Sequence, residues 1–406
     1  MAFNPFKEKG TPPEEQFKSW EQMNVQPYDK NQVHPYTRCR IITINGALFE
    51  GVWFGHQHAR HCTDLDTKRK SAMMRRLVQM QQKIVGGLIP ADESVLENTI
   101  GYEQVAVDLT AWLARHEPDP HVKAALDFAL LEDFDHLYRY ANLLEMTEGI
   151  KAEKLVGEYT EIMPGRPTAE EHRHPFDDVR EHFDAKSADV RTKINAQIIV
   201  AGEQQTMNFY MNVANRADTK VGRGLYAEIA MIEEQHVTHY ESLLDPTMSW
   251  EMRAVMHHYT DAFLFWSFAQ TEVDERIKKI WEAGLESSIG MLQATREMVK
   301  AAEDKDPADE LGEFPHDPMT YEANVDYVRK IEAEQVEWTC DGTEYKPKSE
   351  LPDDHRYFRH QKTVNEGGAP SEKVIDQHLE EFGEEYRMQL SGEHPVQRLQ
   401  ERRSAA

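Results

Sequence analysis

Cysteine is scarce in this chain of 406 residues, which contains three cysteines, Cys39, Cys62 and Cys340. They lie far apart, and none belongs to a Cys-x-x-Cys pair. A disulfide framework, a rubredoxin-type iron site and an iron–sulfur cluster are therefore unsupported, because each needs several cysteines in a defined pattern. The simplest interpretation is three reduced thiols in a cytoplasmic protein.

Long apolar runs, an excess of basic charge and nucleotide motifs are also missing. The most apolar short stretch, 262–269, is too short to span a bilayer, and the first ten residues lack the basic start and apolar run of a signal peptide. Lys and Arg number 46 against 72 Asp and Glu, so the formal net charge is −26. This negative field disfavours nucleic acid and anionic membranes as partners. No phosphate-binding, dinucleotide-binding or nucleophile-elbow motif occurs, so nucleotide binding and acyl hydrolysis have no support.

The remaining sequence predicts an all-α chain in three parts. Residues 1–63 form an N-terminal arm with a small β-hairpin. Residues 64–302 form a four-helix bundle with additional helices, and its core spans 92–245. Residues 303–406 form a charged extension, with a second hairpin at Asp341-Gly342, that wraps the bundle or a partner subunit.

The N-terminal hairpin is predicted from local composition. Ile41, Ile42 and Ile44 precede Asn45-Gly46, and a second apolar run follows the turn. Asn-Gly between two apolar runs is the strongest short-range hairpin signal. We therefore expect strands on either side of this dipeptide, between residues 40 and 54.

One pattern occurs twice, at an offset of one hundred residues. Each copy is a lone acid followed, thirty residues later, by an acid-x-x-His pair. An acid-x-x-His pair on a helix puts a carboxylate and an imidazole one turn apart on the same face. The six residues of the pattern are Glu103, Asp133, His136, Glu203, Glu233 and His236.

These acids and imidazoles interrupt helix faces that are otherwise apolar. Glu103 lies at helical spacing from Ile100 and Val107, on a helix that begins after Pro90 with Asp92 as its expected N-cap. The segment 145–185 is long and irregular. Its length suits a crossover between two helical hairpins of a four-helix bundle.

The buried acids call for compensation by cations. An ionised carboxylate in a helical core costs several kcal/mol unless it is paired or bound to metal. Four carboxylates balance two divalent ions, and each neutral imidazole serves one of them. Oxygen and imidazole donors suit Fe or Mn better than structural zinc. The competing interpretation makes the lone acids members of buried ion pairs and each acid–His pair a surface contact.

Some assignments stay open in the sequence. Glu132 also pairs with His136 at i,i+4 and competes with Asp133, and Glu234 competes more weakly with Glu233. Tyr140 and Tyr240 each lie one turn beyond a histidine of the pattern. They could assist the ligands or carry an oxidising equivalent, or they could simply pack.

A cluster of histidines, His56, His58 and His61, follows the predicted hairpin. It has no partner at matching spacing elsewhere in the chain. Its spacing looks like that of metal ligands, but we favour a loop without a metal, and the role of the cluster stays open in the sequence.

At the doubled pattern the chain resembles the ferritin-like di-iron carboxylate superfamily, over about residues 92–245. The resemblance implies a ferritin-like four-helix bundle in which Glu103, Asp133, His136, Glu203, Glu233 and His236 bind two metal ions. The chain departs from the family pattern at Asp133, where a glutamate is usual, and this puts equal occupancy of the two metal positions in doubt. It also lacks the cysteine pairs of classical rubrerythrins.

The resemblance implies redox chemistry with O2 or H2O2 at two iron ions, or at a Mn/Fe or dimanganese pair. An oxygenase or peroxidase of this kind would need an external reductant, whereas a catalase would not. The alternatives are an iron-sequestering protein without turnover of an organic substrate and a helical scaffold with a vestigial site. We expect a cytoplasmic protein without nucleic acid or membrane partners, for which a homodimer is one allowed arrangement.

Overall fold

The computed structural model describes residues 3–401, which form fifteen α-helices and one two-stranded antiparallel sheet. The all-α class is thereby confirmed. In chain order the helices are α1 (Trp20–Met23), α2 (Pro35–His61), α3 (Leu65–Gly86), α4 (Val95–His116), α5 (Pro120–Glu148), α6 (Glu153–Val156), α7 (Thr168–Glu171), α8 (Val190–Asn212), α9 (Lys220–Glu241), α10 (Trp250–Thr271), α11 (Glu275–Glu303), α12 (Pro307–Leu311), α13 (Val325–Gln335), α14 (Arg356–Val364) and α15 (Pro370–Phe382). The strands are β1 (Trp338–Asp341) and β2 (Glu344–Pro347).

The chain divides into two compact units, each built from separated segments. The first unit takes in the chain up to Glu93 together with 183–202 and 244–320. The second unit takes in 94–182, 203–243 and the chain from Tyr321 onward. Both units therefore draw residues from the 64–302 region, and the residues of the charged extension from Tyr321 onward lie in the second unit.

The predicted N-terminal hairpin is wrong, because residues 40–54 lie inside the long helix α2. The His34 side chain accepts a hydrogen bond from the Tyr36 amide, and Pro35 occupies the first helical position. Ile41, Ile42 and Ile44 are all buried. In a helix that is buried on several sides, apolar residues no longer recur every 3.6 positions, so the sequence does not show the usual helical pattern. The packing of α2 against α3 and α10 outweighs the β propensity of the isoleucines.

In the first unit, α2 packs on α3 and α10 packs on α11. Contacts between α2 and α10, and between α3 and α11, complete the association of these four helices. The N-cap of α3 is Asp64, whose side chain accepts from the Thr67 amide at 2.7 Å.

In the second unit, α4 and α5 form a hairpin with well-capped starts. The N-cap of α4 is Ser94, which forms a capping box with Glu97. The expected N-cap, Asp92, is wrong by two residues. In a capping box the side chains of the N-cap residue and of the residue three positions later each bind the other's backbone amide, and Ser94 and Glu97 have this spacing. Asp119 caps α5. Helix α15 packs on α5 and α9, and α13 packs on α5.

The segment between α5 and α8 lies against α5 through a close backbone contact. The Gly165 amide donates to Asp135 Oδ1 at 3.1 Å, and the Arg166 amide donates to the Leu131 carbonyl at 2.9 Å. A Cβ atom on Gly165 would lie 2.2 Å from the Leu131 oxygen, so the position admits only glycine in this conformation. Thr168 donates to Asp135 Oδ2 from both its amide and its hydroxyl.

The C-terminal hairpin is confirmed. Strands β1 and β2 pair antiparallel with Cys340 opposite Tyr345, and Gly342 takes φ +61° at the turn. Left-handed backbone is the conformation that glycine adopts at little steric cost. Within residues 3–401, none of the helices combines the length and apolarity that crossing a bilayer requires.

Candidate metal centre

The second unit brings together all six residues of the doubled pattern. Helix α4 carries the first lone acid, α5 the first acid–His pair, α8 the second lone acid and α9 the second pair. Each side chain lies in the interior, with no more than 2% of its surface exposed. The six are Glu103, Asp133, His136, Glu203, Glu233 and His236.

These residues form two overlapping groups, in each of which four ligand atoms lie within 4.8 Å of one another. The first group consists of Glu103, Asp133, His136 and Glu233. The second group consists of Asp133, Glu203, Glu233 and His236. Asp133 and Glu233 belong to both groups, so the arrangement offers two adjacent positions for an ion. Each position has one imidazole, one carboxylate that belongs to that group alone, and the two shared carboxylates.

Both imidazoles turn the same nitrogen toward the carboxylates. His136 Nδ1 lies 3.2 Å from Glu233 Oε1. His236 Nδ1 lies 3.3 Å from Asp133 Oδ1 and 3.6 Å from Glu203 Oε2. The two ring centroids are 5.9 Å apart.

The opposite nitrogen of each imidazole contacts a further buried carboxylate. His136 Nε2 lies 2.9 Å from Glu171 Oε2, and His236 Nε2 lies 2.8 Å from Glu132 Oε2. A carboxylate that accepts from Nε2–H leaves the Nδ1 lone pair free to bind a metal and holds the ring in place. Glu132 is therefore the outer partner of His236, and Asp133 is the residue that joins the inner groups.

Glu132 is held ionised by two arginines from the segment between α5 and α8. Arg166 Nη1 donates to Glu132 Oε1 at 2.9 Å, and Arg173 Nη1 forms a short ion pair with the same oxygen. Burial alone would raise the pKa of Glu132, but the guanidinium of Arg173, together with His236 and Arg166, brings that pKa well below its usual range. The buried charge is thus compensated within the protein.

The inner carboxylates lack such compensation. Burial raises the pKa of Glu103 and Glu203 well above the usual range, and it also raises the pKa of Asp133. Burial acts on Glu233 in the same direction, but the facing imidazoles of His136 and His236 lower its pKa to about 2. Without added cations, the protein supplies too little positive charge to keep all four carboxylates ionised.

Polar atoms without partners converge on the two inner positions. Within residues 3–401, both carboxylate oxygens of Asp133 and of Glu233 lack a hydrogen bond, as do the Nδ1 atoms of both imidazoles. Glu103 Oε2 and Glu203 Oε1 lack one as well. Buried polar atoms without partners are rare in proteins, because each costs about 1–3 kcal/mol. The donor set fits two divalent cations.

Comparison with protein-family models, curated proteins and solved structures finds no match for this chain. The residues of this chain and their geometry are therefore the support for a metal centre.

A tyrosine that the spacing did not single out contacts the centre. The Tyr210 hydroxyl donates a short hydrogen bond to Glu103 Oε1. Tyr210 lies two turns beyond Glu203 on α8, so it shares the face of that ligand, and this spacing was a usable signal in the sequence.

Tyr140 and Tyr240 are buried, and their hydroxyls have no hydrogen-bond partner in the part of the chain that the structure describes. The Tyr140 ring packs against Tyr210 and Tyr226, with centroids 5.4 and 4.9 Å apart. The Tyr240 ring centroid lies 6.4 Å from that of His236. Both tyrosines border the centre, and neither donates a hydrogen bond to a ligand residue.

Glu171, Arg166 and Arg173 were missed by sequence reasoning. They lie in an irregular segment, where no periodicity marks which side chains point inward. Only the contact of this segment with α5 brings them to the imidazoles and to Glu132.

The other histidine cluster does not assemble a site. His58 Nε2 lies 3.5 Å from Glu251 Oε1, and the His61 ring stacks on Trp250 with centroids 4.7 Å apart. His56, His58 and His61 lie on one helix, and among the described residues they are not part of any close group of three potential ligands.

A third close group of potential ligands in the described chain is Asp177, Asp341 and His355. Its carboxylates are already paired. Arg356 contacts Asp177, and Lys346 Nζ lies 2.8 Å from Asp341 Oδ2. These ion pairs account for the group without a metal.

Proposed function

We propose that this protein is a dimetal-carboxylate redox protein that activates O2 or peroxide. In this proposal a ferritin-like arrangement of α4, α5, α8 and α9 holds two iron ions, or a Mn/Fe or dimanganese pair. The observation that carries the proposal is the pair of four-residue groups that share Asp133 and Glu233.

The donor types support Fe or Mn as the metals. Each group offers three carboxylates and one imidazole, and cysteine is absent from both groups. Structural zinc sites favour cysteine and histidine, whereas hard oxygen donors with imidazole suit Fe(II) and Mn(II). The four carboxylate charges balance two divalent ions, which removes the cost of burying them.

The chemistry that two bound ions supply is electron transfer to O2 or peroxide at neighbouring metal positions. The protein's part is to hold the ligands and their protons. Glu171 and Glu132 keep a proton on the Nε2 atoms of His136 and His236, so that both Nδ1 atoms face inward as acceptors. Tyr210 donates its hydroxyl proton to Glu103 Oε1 and thereby orients that carboxylate.

Burial of the centre supports redox chemistry over simple surface binding of metal. The inner side chains are at most 2% exposed, so bulk water is excluded and the local charges interact strongly. Turnover as an oxygenase or peroxidase would need electrons from an external reductant. A catalase-type reaction would need none.

The ligand assignment is tested by metal analysis of protein purified from its own host and of reconstituted variants. The intact protein should hold about two metal ions per chain, and His136→Ala or His236→Ala should lose most of this metal. His116→Ala is the matched control, because His116 lies on a ligand-bearing helix and contacts the Trp112 carbonyl instead of the centre. Unchanged metal content in both ligand variants would refute the assignment.

The redox assignment needs a separate assay, namely O2 or H2O2 consumption by metal-loaded protein with and without an added reductant. Consumption that continues over many turnovers supports the redox proposal, and its reductant dependence separates oxygenase or peroxidase chemistry from catalase chemistry. Stoichiometric metal oxidation followed by retention of the metal would favour the sequestering alternative. Failure to bind Fe(II) or Mn(II) at all would leave only a scaffold.

A further inference from the structure

The first unit contains a separate pocket of about 280 Å³. Its walls come from α3, α10 and α11 and from residues 18–25 of the N-terminal segment. Most of the lining is apolar, and it includes Ile84, Val85, Phe265 and Ile280. The volume lies just below the range of about 300–1,000 Å³ that is typical of pockets for drug-sized ligands, which points to a small ligand.

One wall of this pocket requires glycine. A Cβ atom on Gly284 would lie 2.3 Å from the Phe265 ring, so glycine lets that ring pack directly against α11. The apolar wall is therefore well defined by packing.

Gln81 is a polar side chain in the lining of this apolar pocket. It is 6% exposed, and neither its Nε2 nor its Oε1 has a hydrogen-bond partner within residues 3–401. Buried amides are normally satisfied, because leaving them unpaired is unfavourable. A ligand with a polar head group would supply the missing partner.

Two lysines, Lys18 and Lys279, also line the pocket. Among the described residues, no carboxylate forms an ion pair with either ammonium group. Two unpaired ammonium groups beside an apolar pocket are complementary to an anionic head group on an apolar body.

We infer that this pocket binds a medium-chain aliphatic monocarboxylate. The alkyl chain occupies the space beside Val85, Phe265 and Ile280. The carboxylate is countered by Lys18 and Lys279 and accepts a hydrogen bond from Gln81 Nε2. All of these residues belong to the first unit, so the inference is independent of the proposed metal centre.

The test is calorimetric titration of the full-length, metal-loaded protein with octanoate, octan-1-ol and octylamine, which share a chain length and differ in head group. Octanoate should bind at least tenfold more tightly than octan-1-ol, and octylamine should not bind measurably. Equal affinity for octanoate and octan-1-ol, or no octanoate binding at millimolar concentration, would overturn the inference. Binding to anionic phospholipid vesicles without binding to free octanoate would overturn it in favour of a membrane contact.

Two variants locate the interaction. The double variant Lys18→Gln/Lys279→Gln should weaken octanoate binding about tenfold and leave octan-1-ol unaffected, whereas Lys278→Gln, on the same helix but outside the pocket lining, should change neither. Gln81→Leu should weaken octanoate binding by about fivefold to tenfold while raising the unfolding temperature of the free protein, because it removes an unpaired buried amide. Unchanged octanoate affinity in both variants would contradict the proposed pose. Metal content should stay constant throughout.

Discussion

At the scale of single residues, neighbouring acids on α5 have different roles. Asp133 and Glu132 are adjacent in sequence, so they point about 100° apart around the helix. Asp133 faces both inner groups, whereas Glu132 faces His236 Nε2 and the two arginines. Because Asp133 belongs to both groups, any effect of its short side chain on metal occupancy applies to both proposed metal positions.

The division of roles predicts unequal effects of two isosteric substitutions. Asp133→Asn should remove a shared ligand charge and abolish binding of at least one of the two metal ions. Glu132→Gln should keep both ions but weaken metal affinity by about 10- to 100-fold, as expected for the loss of an outer partner of a ligand histidine. Competition with a chelator of known affinity measures the number of bound ions and the metal affinity of each variant. Equal metal loss in the two variants would contradict the assignment.

A buried histidine in the first unit predicts a dependence of stability on pH. Burial, together with His258 and Arg253, lowers the pKa of His257 to about 3. In the unfolded chain this group has its ordinary pKa of about 6.5 and binds a proton below that pH, while the folded protein does not. The free energy of unfolding should therefore fall as the pH drops from about 6.5 toward 3, by up to about 1.4 kcal/mol per pH unit from this group.

The comparison that isolates this effect is His257→Gln against His316→Gln in denaturant unfolding between pH 7 and 4.5. His257→Gln should flatten the pH dependence. His316→Gln, which changes an exposed side chain, is the control variant. Parallel pH profiles for the two variants would show that His257 is not the responsible group.

At the scale of elements, the segment between α5 and α8 decides how the imidazoles are supported. Gly165 and Arg166 lie against the α5 backbone at Asp135 and Leu131. This contact places Arg166 beside Glu132 and, further along, Glu171 beside His136. An irregular segment thus supplies outer partners that the regular helices do not.

Gly165→Ala should therefore disturb both stability and metal binding. The added Cβ atom meets backbone atoms of α5, which cannot move aside as a flexible side chain could, so we expect a loss of about 1–3 kcal/mol in the free energy of unfolding and a lower metal affinity. Gly51→Ala is the control: its new Cβ atom would have its nearest neighbour at 3.8 Å, within a helix. That variant should be neutral or more stable by up to about 1 kcal/mol.

At the scale of the whole molecule, the proposed ligands and the monocarboxylate pocket belong to different compact units. All six inner residues lie in the second unit, and the pocket residues lie in the first. Local stability in proteins can differ between such units. Metal binding should therefore stabilise the two units unequally.

Removal of metal by a chelator should appear in hydrogen exchange as faster exchange in α4, α5 and α9. Exchange in α2, α3, α10 and α11 should change little. The reason is linkage: a ligand whose free concentration is a thousand times its dissociation constant stabilises the folded state by about 4 kcal/mol. Once the metal is removed, the four inner carboxylates are again buried without cations, which is unfavourable. A uniform increase across both units would contradict this expectation.

Much of the candidate centre could be predicted from the sequence, because its inner residues obey a local rule. The i,i+3 spacing puts Asp133 beside His136 and Glu233 beside His236 on any α-helix, and the doubled register selects Asp133 over Glu132. The sequence also predicted two helical hairpins on either side of the segment 145–185, and α4 and α5 form the first of them. The sequence did not predict α2, because this buried helix lacks a periodic apolar pattern and because Asn45-Gly46, which is typical of a hairpin turn, lies within it.

The sequence by itself determined which six side chains lie on which helix faces, since those positions depend on backbone geometry within single elements. Only the tertiary structure decided that their ligand atoms converge into two groups sharing Asp133 and Glu233. It also decided that Glu171 and Tyr210 complete the surroundings of the centre. Such contacts join residues far apart in the chain, and their energies depend on packing and burial that no local pattern records.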